Sequence, residues 1–71
     1  MKDYDKAVAD YGEAIRINPK HVVARVNRGL AWRLKNDYDK AITDYDEATR
    51  LDPRYAMAWY GRGVAWVLKA A

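Results

Sequence analysis

Apolar residues recur at intervals of three and four positions in four segments of the chain, and this spacing predicts four amphipathic helices. The segments run roughly over residues 3–17, 20–34, 37–51 and 54–69. Connections this short force neighbouring helices to run antiparallel, so the pattern predicts stacked helical hairpins. The first and third segments carry the clearest stripes: Tyr4, Ala7, Val8, Tyr11, Ala14 and Ile15, and then Tyr38, Ala41, Ile42, Tyr45 and Ala48.

The breaks between segments contain residues that start helices. Asn18-Pro19 and Asp52-Pro53 each offer a capping side chain followed by a proline, whose missing N–H costs nothing at the first helical position. We therefore expect each pair to begin the helix that follows it. Asp3 and Asp37 are predicted to be the N-caps of the first and third helices.

The second half of the chain repeats the first half at one constant offset. Residues 2–19 align with residues 36–53, and residues 24–35 align with residues 58–69 at the same offset. About half of the aligned pairs are identical. A helical pair that recurs in this way indicates a repeat architecture in which each unit buries its apolar face against the next.

The repeated residues resemble those of the tetratricopeptide repeats. An alanine and an aromatic residue four positions apart, followed by a proline, occur as Ala7, Tyr11 and Pro19 and recur at the repeat offset. The resemblance implies an all-α fold, in which four helices form antiparallel hairpins stacked as a short right-handed α-solenoid, with one domain over residues 1–71. It also implies a non-catalytic protein–protein interaction module. The residues expected to hold the repeats together are Ala7, Ala14, Pro19, Gly29, Trp32, Ala41, Tyr45, Ala48, Pro53 and Gly63.

The order of the helices differs from that of a complete family repeat, because this chain begins on a second-type helix and ends on a first-type helix. Each terminal helix therefore lacks a neighbour, and an exposed apolar face of this kind is typical of an interface. We expect self-association, either head to tail or as a helix-swapped dimer; a fragment of a longer array is the alternative. The candidate contact residues are Tyr4, Tyr11, Trp59, Trp66, Val67 and Leu68.

Charge is sorted by helix type. Residues 19–36 and 53–71 carry net charges of +5 and +3 without a single acid, whereas residues 1–18 and 37–52 carry −1 and −4. In the resembled family the first-type helices line a concave surface that holds a peptide. That surface would be basic and apolar here, which suits an acidic or C-terminal segment. The groove candidates are Val23, Val26, Asn27, Leu30, Arg33, Met57, Tyr60 and Val64.

Two arginines, Arg28 and Arg62, stand where the resembled family prefers a core leucine. We expect their aliphatic stems to be packed and their guanidinium groups to pair with helix acids such as Asp10 or Asp44.

Several classes of function lack the residues that they require. The chain has no cysteine and one histidine, His21, beside a predicted turn, and no nucleophile, metal shell or phosphate loop can be assembled. We therefore expect no catalysis, cofactor or metal. No signal peptide or long apolar run is present, so we expect no membrane span and take the cytoplasm as the default location. A pI near 9.3 makes nucleic acid a remote alternative, since strongly acidic helices separate the basic ones.

Overall fold

The computed structural model describes residues 3–71, and within that range it contains four helices and no strand. These are α1 (Tyr4–Ile17), α2 (Val22–Leu34), α3 (Tyr38–Leu51) and α4 (Ala56–Ala70). Each helix packs on the next along the chain, and α2 also contacts α4. The predicted all-α stack of hairpins is confirmed, with α1 and α4 at opposite ends; the first two residues of the predicted domain lie outside the described range.

The first and third helices begin at the aspartates predicted to cap them. The Asp3 carboxylate accepts a hydrogen bond from the Lys6 N–H at 3.0 Å, and the Asp37 carboxylate accepts one from the Lys40 N–H at 3.3 Å. Each bond satisfies an N–H that the first helical turn leaves without a backbone partner.

The predicted starts of the second and fourth helices are wrong by two residues. Asn18 and Asp52 do not cap these helices, because their side chains accept hydrogen bonds from the N–H groups of Lys20 and Arg54, two residues on, both at 3.1 Å. This local bond closes a turn that includes the proline, so the proline precedes the helix instead of opening it. In α2 the cap is His21, whose Nδ1 accepts a hydrogen bond from the Ala24 N–H at 3.2 Å.

Tyr45 occupies the centre of the core. Its side chain is 1% exposed and lies between α2 and α4. Glycines make room for it on both sides: a Cβ added at Gly29 would lie 3.0 Å from the Tyr45 ring, and one added at Gly61 would lie 2.4 Å from it. Fully buried alanines let the helices approach one another around this ring: Ala41, Ala48, Ala58 and Ala65.

Candidate interaction surfaces

A bidentate ion pair joins α2 to α3. The Nε and Nη2 atoms of Arg28 each donate a hydrogen bond to the Asp44 carboxylate at 2.7 Å, and Asp44 is buried. The carboxylate raises the pKa of the Arg28 guanidinium above its ordinary value. The prediction that Arg28 pairs with a helix acid is therefore confirmed, with Asp44 as the partner.

Arg62 has a different partner from the two acids suggested for it. Its Nη1 donates to Asp46 at 2.6 Å, and its guanidinium group lies 4.5 Å from the centre of the Trp59 ring. The two arginines differ because Gly12, the equivalent of Asp46, offers Arg28 no carboxylate on the preceding helix, and because no helix within residues 3–71 follows α4 to offer Arg62 the equivalent of Asp44. A Cβ at Gly12 would lie 3.6 Å from Nη1 of Arg28.

Lysines near the ends of α2 and α4 also pair with the acidic helix that precedes each of them. Lys35 pairs with Asp5, and Lys69 pairs with Asp39 at 2.6 Å. The sorted charges of the sequence are thus largely opposed across helix contacts. The expected basic character of the groove is reduced accordingly, since Arg33 is the one charged residue that lines it within residues 3–71.

The groove candidates mostly lie together. Seven of the eight line one cavity of about 130 Å³ between α2 and α4, and Tyr45 and Gly61 complete its wall. Val23 is the exception, because it lies outside this cavity and is exposed. The seven are Val26, Asn27, Leu30, Arg33, Met57, Tyr60 and Val64.

One polar atom of this groove lacks a partner. The Nε of Arg33 is buried and makes no hydrogen bond within the described residues. A buried donor left unpaired loses its water without compensation, which costs about 1–3 kcal/mol. The neighbouring Tyr45 hydroxyl is also desolvated, and its burial raises the pKa of Tyr45. The groove therefore combines apolar walls with one arginine whose buried Nε has no acceptor within the described residues.

The outer face of α4 forms a second, shallow apolar groove. Its lining contains three of the predicted self-association residues, and Val67 among them is 69% exposed. Trp66 is outside this lining and is 51% exposed. Tyr4 and Tyr11 are half-buried on α1, at the other end of the stack. The groove is lined by Trp59, Tyr60, Gly63, Val64, Val67 and Leu68.

Trp59 is held in place at the start of this face. Its Nε1 donates a hydrogen bond to the Pro53 carbonyl at 2.8 Å. In the first repeat the equivalent residue is Arg25, whose Nη2 donates to the Pro19 carbonyl at 3.1 Å. The two side chains make equivalent hydrogen bonds to the proline carbonyls of their own repeats, but only the tryptophan adds a large apolar surface to the groove.

Equivalent residues of the two repeats differ in burial. Ala41 and Ala48 are fully buried, whereas their counterparts Ala7 and Ala14 are half-buried. Gly29 is buried beneath Tyr45, whereas a Cβ at Gly63 would have no neighbour within 4 Å. In the same way Trp32 is half-buried and Trp66 is exposed, while the two prolines Pro19 and Pro53 are both exposed. Residues that pack in the middle of the stack are therefore uncovered at its ends.

No group of three or more potential metal ligands comes together in residues 3–71. None of the described helices is both long enough and apolar enough to cross a membrane.

Comparison with known proteins agrees with the repeat pattern and the fold. A family profile described as TPR repeat matches residues 29–68, and one described as tetratricopeptide repeat matches residues 1–21. No curated protein matches the chain. Domains of this kind generally mediate protein–protein interaction. With more than half of its length matched by one profile, the chain belongs to the tetratricopeptide repeat family.

Proposed function

We propose that this protein is a non-catalytic interaction module that self-associates through its terminal helices, α1 and α4. The observation that carries the proposal is the exposed apolar face of α4. The positions of α2 that are equivalent to Gly63 and Trp66 are covered by α3, and the residues there, Gly29 and Trp32, are accordingly more buried. A face that is buried in one repeat and open in the next is suited to bind a further helix.

The exposed side chains are large enough to support an interface. Four candidates on α4 are between 39% and 69% exposed. Covering a side chain of this size completely contributes about 1.5–3 kcal/mol. Covering four side chains that are about half exposed therefore contributes roughly 3–6 kcal/mol, which offsets part of the entropy cost of association. The four are Trp59, Trp66, Val67 and Leu68.

Light scattering coupled to size-exclusion chromatography tests this proposal. We expect the unmodified chain to give a mass that is a multiple of 8.2 kDa and Val67→Lys to give the mass of a single chain. Val23→Lys is the matched control, because it places the same charge on another exposed valine, outside the α4 groove. Trp66→Glu should behave like Val67→Lys. A single-chain mass for the unmodified protein, or equal masses for both valine variants, would contradict the proposal.

The groove between α2 and α4 supports a second candidate function, in which a monomer binds an acidic or C-terminal peptide segment. The position of Arg33 in the lining of this groove favours it, because a carboxylate is the acceptor that an arginine binds most strongly. Apolar walls on both sides would hold the neighbouring side chains of the peptide.

Fluorescence anisotropy with a labelled hexapeptide of leucine and glutamate tests this candidate. We expect the peptide with a free C-terminal carboxylate to bind, and Arg33→Glu and Asn27→Ala to weaken that binding while the chain stays folded. Lys20→Glu is the control, because it changes the net charge as Arg33→Glu does but lies in an exposed turn. If Arg33→Glu and Lys20→Glu bind equally well, the groove is not the binding site.

A further inference from the structure

We infer that the segment covering the open face of α4 is α1 of a second copy, docked in the register in which α3 packs on α2. This inference rests on the proposed self-association and adds the identity of the partner helix and its contacts.

The contact between α2 and α3 supplies the template. Three pairs of residues define its register: Arg28 with Asp44, Gly29 with Tyr45, and Trp32 with Lys40. The first is the bidentate ion pair at 2.7 Å, and the second places the tyrosine ring over a glycine. In the third pair the Lys40 ammonium lies 4.5 Å from the centre of the Trp32 ring.

All six residue types recur at the repeat offset on the two terminal helices. On α4 the equivalents of the α2 residues are Arg62, Gly63 and Trp66. On α1 the equivalents of the α3 residues are Asp10, Tyr11 and Lys6. None of these three pairs meets within the chain, because α1 and α4 make no contact with each other. Both sides of the α2–α3 contact therefore recur at the ends of the stack, the α2 side on α4 and the α3 side on α1.

The side chains of α4 have room and donors for this contact. Within residues 3–71 Arg62 donates one side-chain hydrogen bond, from Nη1 to Asp46, which leaves Nε and Nη2 available. Those two atoms form the edge by which Arg28 binds Asp44. Open space at Gly63 corresponds to the position that the Tyr45 ring fills at Gly29. Asp10 is exposed and makes no ion pair within the described residues.

Charge favours this partner over another α4. The segment that contains α1 has a net charge of −1, whereas residues 53–71 carry three bases and no acid. Two α4 faces would place like charges together and leave Asp10 without a partner, whereas α1 against α4 pairs Asp10 with Arg62. The contact is then heterologous, so each copy uses both ends and the assembly grows head to tail.

Charge reversal followed by mixing tests the register. We expect Asp10→Arg and Arg62→Asp each to weaken self-association about 30-fold or more in sedimentation velocity, since breaking a desolvated interface ion pair has effects of this size. An equimolar mixture of the two variants should associate again, because every α1–α4 contact between unlike variants pairs an arginine with an aspartate. Lys20→Asp, which matches the charge change of Arg62→Asp in an exposed turn, should associate like the unmodified chain.

The outcomes separate the inference from the proposed function. If the unmodified chain associates but neither reversal weakens it, or if mixing fails to restore association, the register is wrong while self-association stands. If the unmodified chain stays at 8.2 kDa throughout, both are overturned. Circular dichroism of each variant shows whether it is folded, and restored association in the mixture shows the same independently.

Discussion

Two glycines two residues apart on α4 are expected to respond oppositely to the same substitution. Alanine gains about 1 kcal/mol over glycine inside a helix, and this gain is common to Gly61→Ala and Gly63→Ala. The new Cβ at Gly63 meets nothing within 4 Å, so that variant keeps the full gain. At Gly61 the Cβ would lie 2.4 Å from Cε1 and 2.5 Å from Cζ of Tyr45. The Tyr45 ring is 1% exposed and is packed between α2 and α4, so the overlap forces repacking that costs about 1–3 kcal/mol.

Because the helix term cancels, the two variants should differ by about 1–3 kcal/mol in their free energy of unfolding. Gly63→Ala should unfold roughly 4–8 °C above the unmodified chain, and Gly61→Ala should unfold at least about 4 °C below Gly63→Ala. Thermal and urea unfolding followed by circular dichroism measure both values. Dilute protein is required, because association stabilises the folded chain by mass action. Equal stabilities of the two variants would refute the assigned packing of Tyr45.

Three other predictions concern the core and the helix caps. Asp44→Ala leaves Arg28 half-buried without its partner and should lower the free energy of unfolding in urea by about 3 kcal/mol. Asp46→Ala removes a more exposed partner and should lower it by less than about 1 kcal/mol. Equal losses for the two variants would contradict this prediction. Burial raises the pKa of Tyr45, so the unfolded chain releases that proton first, and stability should fall as pH rises above about 10. Tyr45→Phe should flatten this part of the pH profile, and an unchanged slope would exclude the tyrosine as its source. Asp37→Ala should cost about 1 kcal/mol through loss of the cap on α3, measured by the same unfolding assay, and no loss would show that the cap is not needed.

Features of the fold that depend on local spacing could be predicted from the sequence. The helical stripes, the repeat offset and the caps at Asp3 and Asp37 each involve residues within one turn or one period of each other. Short connections then leave little choice of arrangement. The pairing of Arg28 with a helix acid could also be predicted, because an arginine in a packed position needs a carboxylate on a neighbouring helix, and the structure selects Asp44 from the two acids suggested.

The starts of α2 and α4 could not be predicted in the same way, because two local hydrogen bonds compete there. Asn18 and Asp52 can cap a helix or close a turn two residues ahead, and the sequence permits both. The structure selects the turn, and His21 takes over the cap of α2. A histidine cap has no sequence signal as clear as that of aspartate or serine.

The partner of Arg62 depends on which residue lies at position 46 on the helix that packs against it. Asp46 replaces the repeat equivalent Gly12 and gives Arg62 a carboxylate on the preceding helix. A comparison of the two repeats contained this signal, since the glycine and the aspartate precede their respective arginines at the same sequence separation. The groove illustrates a related limit: the family resemblance placed seven of its residues together, but it did not show that Lys35 and Lys69 pair with acids on the preceding helices.

An isotope-filtered nuclear Overhauser experiment on an equimolar mixture of labelled and unlabelled chain tests the contact between α1 and α4 most directly. We predict contacts between the ring protons of Tyr11 in one copy and the α protons of Gly63 in the other. The corresponding intramolecular contact between Tyr45 and Gly29 serves as the internal reference. Contacts from Gly63 only to residues of its own chain, or to α4 of the other copy, would contradict it.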